Sequence, residues 1–247
     1  MILEVCVDSV FSAIEAQKGG ADRVELCANL DSGGTTPSLS TIRLARKYLK
    51  IPMFVLIRPR TGDFLYDEYE LEVIQEDIAA CKDLGADGIV IGMLKASGRI
   101  DIDRMTPLIS FARPLGVTFH RAFDMASDPF QALEDIISLG ADRILTSGGL
   151  QTALKGAALI RMLVDQAGNR ISIMPGGGIT KENIQQIAFQ TGASEYHGSF
   201  RKFVISEMEF RNDKVRLGGN KAEEYEMMMT DIQSVRKVKN ILKQFGT

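Results

Sequence analysis

GGADRVEL, residues 19–26, recurs as LGADGIVI at 84–91 and LGADRILT at 139–146, with a weaker echo, TGASEYHG, at 191–198. Each copy sets Gly-Ala-Asp or Gly-Ala-Ser after an amphipathic run and before a short β-rich one, the pattern of a glycine that ends a helix and hands the chain to a strand. The repeat therefore marks four helix-to-strand junctions. Between them lie four further apolar runs, ILEVCV, MFVLIRP, GVTFHRA and ISIMPGG. Strand patterns thus total eight, each followed by a helical pattern. Eight such units in 247 residues predict an α/β fold, a single (β/α)8 barrel of the TIM type. A doubly wound open sheet is the rival reading, because periodicity does not encode closure.

Helix starts carry their own marks. Asp67 and Glu70 have capping-box spacing, Asp128 precedes Pro129 in a first turn, Ser38 reads as a helix cap, and Thr180 stands before KENIQQIAFQ. Past residue 199 the repeat stops. EMEFRNDKVRLGG (207–219) carries Asn212-Asp213 between two alternating runs and predicts a hairpin. KAEEYEMMMTDIQSVRKVKNILKQF (221–245) predicts a closing helix, with Met227 to Met229 as core or subunit-contact residues. The expected organisation is one domain over 1–247: strand and helix repeats at 1–199 and a C-terminal extension at 200–247.

With 45% hydrophobic and 25% charged residues the composition is that of a globular protein, long enough for one large core. A net charge of −3 and scattered charges supply no concentrated basic surface, which argues against nucleic acid or an acidic membrane as partner. MILEVCVDS enters a strand pattern at once, without the features of a signal peptide. No apolar run approaches the ~20 residues of a membrane span, so the expected setting is the cytoplasm. Three cysteines do not suggest a disulfide framework; they fit a reducing compartment that leaves thiols free as ligands.

In barrels of this type the active face is the carboxyl end of the strands. Side chains alternate along a strand, so LEVCVDS puts Glu4, Cys6 and Asp8 on one face and Leu3, Val5 and Val7 on the other. The second strand offers Glu25, Cys27 and Asn29; the third runs into Arg58-Pro59-Arg60; the fifth supplies Thr118, His120 and, beyond it, Asp124; the eighth supplies Glu195, His197 and Ser199. Both histidines of the chain fall at strand ends. Acids in the lumen need partners, for which Arg58, Arg60, Arg121 or a metal are the candidates, and a purely structural ion-pair plug is the plain alternative. TSGG (146–149) and MPGGGIT (174–180) end the sixth and seventh strands, where bare N–H groups bind anions, although tight turns alone also call for glycine. SGGTTPS (32–38) is open to both readings. Cys6 and Cys27, each two residues after a glutamate, are either small apolar fillers or a thiol pair near the barrel mouth; Cys81, in IAACKDLG, reads as core.

LEVCVDS, GGADRVELC, GGTTPS, VLIRPRTGDFLY, TFHRAFD, LTSGG, MPGGGI and EYHGS, in this order from Leu3 to about Ser199, together resemble the CutC family of copper homeostasis proteins. The resemblance implies a TIM-type barrel, a cytoplasmic setting, a homodimer or higher homo-oligomer, and a role in copper handling. It also implies cysteine ligands for Cu(I), carried here by Cys6 and Cys27 alone. Soft thiolates suit that ion.

The residues themselves support a second expectation, an enzyme acting on a small anionic or phosphorylated metabolite. Arg58, Arg60 and Gly176, Gly177 and Gly178 would hold the anion, and His120, Glu25, Asp124, Glu195 or His197 would move protons. A divalent site using both histidines and nearby glutamates is also conceivable. Schiff-base chemistry is disfavoured, since the strands lack lysine and only Lys95 follows the fourth.

Overall fold

The computed structural model describes residues 1–212, 214, 215 and 224–245. Eight parallel strands form its centre: β1 (Ile2–Val7), β2 (Arg23–Leu26), β3 (Met53–Leu56), β4 (Gly88–Ile91), β5 (Gly116–Phe119), β6 (Arg143–Thr146), β7 (Ser172–Pro175) and β8 (Glu195–Gly198). They pair in the order β7-β6-β5-β4-β3-β2-β1-β8, and β7 adjoins β8 at the seam. The result is a nearly closed (β/α)8 barrel rather than an open doubly wound sheet. Around it run α1 (Val10–Gly19), α2 (Leu39–Tyr48), α3 (Glu68–Asp83), α4 (Ile102–Ala112), α5 (Pro129–Leu139), α6 (Ala157–Ala167), α7 (Ile184–Thr191) and α8 (Ile232–Gln244). Among the described residues no helix is long and apolar enough to cross a membrane.

The Gly-Ala-Asp repeat has a mechanical role. Gly20, Gly85, Gly140 and Gly192 take left-handed φ values of 95°, 75°, 78° and 65°, which ends each helix where a side chain would be strained. The following aspartates then tie the even strands to the odd ones before them. The N–H groups of Asp22, Asp87 and Asp142 each donate to the carbonyls of Leu3, Met53 and Val117 at 2.9 Å. Their carboxylates accept the N–H groups of the same three residues at 2.7, 2.8 and 2.6 Å. Both backbone groups at the start of β1, β3 and β5 are thereby satisfied.

Two apolar regions result. Leu3, Val5, Val7, Ile89, Ile91, Phe119 and Tyr196, all fully buried, pack outward against the helices, each large side chain contributing roughly 1.5–3 kcal/mol. Cys6, Cys27, Phe54, Leu56 and Val90 form a separate cluster inside the lumen. The expected caps form at Ser38, at Asp67 with Glu70 as a full capping box, and at Asp128. Thr180 caps a turn ahead of α7 rather than α7 itself, its hydroxyl accepting the Glu182 N–H at 3.2 Å. Its N–H donates to the Asn183 carboxamide at 2.8 Å, folding an extra turn that delays α7 to Ile184.

The C-terminal extension departs from the expected boundaries. A hairpin is present, but its strands are β9 (Arg201–Ile205) and β10 (Glu226–Thr230). Residues 207–210 are not strand, and Asp213 of the expected turn lies outside the described residues. Met227 to Met229 belong to β10 rather than to the closing helix, because Met228 pairs with Phe203 across the hairpin and Asp231 caps α8 through the Ser234 N–H. From there α8 buries Val235, Val238 and Leu242 and packs on α1 and α7.

Candidate functional site

The residue after each Gly-Ala-Asp or Gly-Ala-Ser triplet begins an even strand: Arg23, Gly88, Arg143 and Glu195. In a barrel of this kind alternate strands supply one layer of the lumen, and these four with Glu4, Phe54, Thr118 and Met174 of the odd strands make its floor. The Arg23 guanidinium donates to the Glu4 carboxylate, to Glu195 at 2.6 Å and to the Met174 sulfur at 3.5 Å. Arg143 donates to Glu195 at 3.2 Å and to the Thr118 hydroxyl at 3.0 Å. Both guanidiniums face the Phe54 ring, 5.0 and 4.8 Å from its centre, and that ring fills space a β-carbon on Gly88 would need. Burial works against ionised Glu195, but the Arg143 and Arg23 charges hold its carboxyl below the usual range. Arg23 therefore partners Glu4 and Glu195, and Arg143 partners Glu195, in place of Arg58, Arg60 and Arg121, and Glu195 is engaged in the floor.

Above the floor opens a cavity of about 550 Å³ at the strand carboxyl ends. Cys6, Glu25 and His197 meet there, all buried, with one donor atom of each within 4.8 Å of the others. His197 Nε2 lies 2.7 Å from Glu25 Oε2 and 3.8 Å from Glu4 Oε1, a buried oxygen that accepts no hydrogen bond. Burial alone would lower the His197 pKa; the negative charge available at Cys6 and Glu25 outweighs it and pushes the imidazole well above 6.5. Glu25 moves the other way: despite complete burial, the His197 charge and hydrogen bond hold it below the usual carboxylate range. Cys27 also lines the cavity but lies outside this triple, its thiol donating to the Glu25 carbonyl at 3.8 Å. Burial, then the Glu25 charge, pushes that thiol well above its ordinary range. Cys81 is core on α3, as expected.

Arg58 and His120 line the same cavity. Arg58 is only 6% exposed. Its terminal nitrogens donate to the carbonyls of Gly34 and Gly62 at 2.8 and 2.7 Å, and Nε meets no acceptor. His120 sits at the end of β5, where Gly92 leaves room for it: a β-carbon there would come 2.6 Å from the imidazole. His120 Nδ1 accepts the Ala122 N–H at 3.2 Å, so Nε2 carries the hydrogen; Nε2 is buried without an acceptor. Burial, with the Arg58 charge second, lowers the His120 pKa to about 4. Neutral and protonated on Nε2, His120 is a hydrogen-bond donor; in this tautomer it is neither a base nor a metal ligand through that atom.

Other expected residues are not brought into the chemistry. Asp124 accepts from the N–H groups of Ser147 and Gly149 and from the hydroxyls of Thr146 and Ser147, and pairs with Arg121 at 2.8 Å. The anion held by the TSGG loop is thus the protein's own carboxylate. Arg60 turns away to Glu70 and Asp63 and to the Leu65 carbonyl. Gly177 and Gly178 line the cavity, whereas Gly176 does not; a side chain on it would collide with Leu145 and His197. Asp8 pairs with Arg201 at 3.6 Å, and Lys95 with Asp103 on the surface. The floor arginines carry a signal in the sequence that the reading of strand ends passes over: they hold the same place in two copies of the repeat, and Arg23 shares the strand parity of Glu25 and Cys27.

Residues 1–202 match the model of the CutC family. A human protein named copper homeostasis protein cutC homolog is 49% identical over 243 residues, 98% of this chain and 89% of that one. A solved Streptococcus agalactiae chain assigned as copper homeostasis protein CutC superposes with a TM-score of 0.77 at 37% identity, covering 81% of this chain and 98% of that one. Phosphoribosyl anthranilate isomerase of Thermotoga maritima, at 13% identity and a TM-score of 0.59 over 99% of this chain and all of that one, shares the fold alone.

Proposed function

This chain belongs to the CutC family, and on that footing we propose that it handles copper, taking Cu(I) as cargo at the carboxyl end of the barrel. The observation that carries the reading is the buried meeting of Cys6, Glu25 and His197 within 4.8 Å. Cys6 supplies a soft thiolate and Cys27, above it on the neighbouring strand, the second; His197 and Glu25 stand beside them. The donor set fits the ion in sulfur and imidazole, and the orphaned Glu4 oxygen facing His197 favours positive charge at this spot. Loading requires the thiols to lose their protons, so uptake acidifies a weakly buffered solution. Cu(I) titrated into reduced protein against a competing chelator tests this. The double variant Cys6→Ser, Cys27→Ser is expected to lose at least tenfold in affinity, and unchanged affinity removes the site.

The same reading puts the protein in the reducing cytoplasm and makes it a homo-oligomer. The hairpin supports a self-contact, since it leaves Phe203 and Ile205 66% exposed. Sedimentation velocity should show a multimer that Phe203→Glu dissociates; a monomeric parent protein disproves the contact.

A second reading is favoured by the size of the cavity. A metal ion needs a few donors, whereas about 550 Å³ is the volume of a metabolite site. In this reading the His197–Glu25 pair is the proton-holding element and the pocket takes a small anionic compound.

A further inference from the structure

Buried and part-buried guanidiniums elsewhere in this barrel come with carboxylates. Arg23 has Glu4 and Glu195, Arg143 has Glu195, and Arg201 has Asp8 and Asp31. Arg58 breaks the pattern. Among the described residues no carboxylate pairs with it, although it is as buried as Arg23. Two backbone carbonyls fix its terminal nitrogens, but neutral dipoles do not cancel a full charge withdrawn from water. Its Nε has no acceptor.

A second unpartnered donor lines the same cavity. The Nε2–H of His120 is nine-tenths buried with no acceptor, and its tautomer is set by the Ala122 N–H on the other ring nitrogen. Phe64 packs against both groups, its ring centre 4.9 Å from the Arg58 guanidinium carbon and 4.8 Å from the His120 ring centre. Its apolar face keeps water away and strengthens any charge-assisted bond made there. A cationic fork that meets two neutral carbonyls and no carboxylate, with its Nε unpaired, and a neutral donor left without an acceptor, both desolvated, are the complement of an oxyanion.

Building on the ligand-pocket reading, we propose that the cavity anchors a small metabolite by a carboxylate or phosphate group, held by the Arg58 guanidinium with His120 Nε2–H donating a further hydrogen bond. This subsite lies at the ends of β3 and β5. Its side chains are other than the copper donors Cys6 and Cys27 and the glycine turn after β7, which line the same cavity. The ligand supplies the negative charge the protein withholds from Arg58, and anion binding and copper binding draw on different side chains.

The test uses the full chain, reduced and stripped of metal, titrated with inorganic phosphate and with succinate by calorimetry, with sodium chloride at matched ionic strength as control. Saturable binding of either probe is expected in the parent protein; which one binds tells phosphate from carboxylate as the natural group. Arg58→Gln and His120→Phe are each expected to weaken it by about tenfold or more, while Cu(I) affinity on the same samples is unchanged. Should Arg58→Gln fail to fold by circular dichroism, Arg58→Lys, which keeps the charge and loses the fork, serves in its place. Saturable binding that survives these changes overturns the Arg58 anchor and leaves the pocket reading standing. Binding of neither probe to the parent protein overturns both.

Discussion

The two ends of the lumen are built from the same residue types to opposite effect. At the floor, Arg23, Arg143, Glu4 and Glu195 neutralise one another around Phe54. At the mouth, among the described residues, Arg58 has no carboxylate, His120 no acceptor, and the Cys6, Glu25 and His197 group crowds three ligating atoms together. Both ends are buried, so burial does not separate them. What differs is charge pairing: each floor arginine meets a carboxylate, the one floor oxygen left over being the Glu4 Oε1 that faces His197, whereas a mouth with an unpaired guanidinium and an idle donor is complementary to something that is not protein.

Removing a floor arginine should therefore be the most damaging single change. Arg23→Ala strands the Glu4 and Glu195 carboxylates, and breaking a buried pair in this way costs about 3–5 kcal/mol. Chemical denaturation measures it. A loss under about 1 kcal/mol would mean that water reaches the floor and that the contrast between the two ends is false.

The next effect belongs to the mouth. Unfolded, the His120 imidazole gains its proton near 6.5; folded, burial and Arg58 hold it back to about 4. Within that window the unfolded chain binds more protons, so this contribution is complete above pH 6.5 and declines as the pH falls to 4. The loss amounts to about 3 kcal/mol. Comparing the stability of the parent and His120→Phe from pH 7 to 4 isolates it: the difference should shift by that amount in the variant's favour at low pH. His197 has the opposite sense. Its pKa is raised, so its contribution is present at low pH and lost as the pH climbs through its folded value. A flat difference curve for His120→Phe would show His120 to be solvated, and with it the mouth.

The barrel was legible because its signal is local and repeated. Glycine after a helix and aspartate before a strand recur at 20, 85 and 140, and each aspartate does the same backbone job. Strand parity likewise pointed Cys6, Glu25 and His197 to one side. Parity also contains the floor, since Arg23 lies two residues before Glu25, but nothing local distinguishes it from the loop arginines Arg58, Arg60 and Arg121 as a partner of the acids. The C-terminal hairpin was harder. Pairing of β9 with β10 spans a connection of 20 residues, from 206 to 225, and no local pattern selects Met227 to Met229 as strand over helix. Nor does the sequence show that Asp124 fills the TSGG loop, because the two meet only through the turn after β5.

The smallest predicted effect concerns a pair that sequence alone does not separate. Arg58 and Arg60 flank one proline and share parity, yet β3 has ended at Leu56 and the chain is turning. The turn puts one guanidinium in the cavity and the other, 38% exposed, against Asp63 and Glu70. An exposed pair of this kind contributes about 0–1 kcal/mol, so Arg60→Ala should barely move the denaturation midpoint and leave phosphate and succinate affinity as they were. Should Arg60→Ala weaken anion binding as far as Arg58→Gln does, the charge of the whole Arg-Pro-Arg turn, and not the missing partner of Arg58, would govern the mouth.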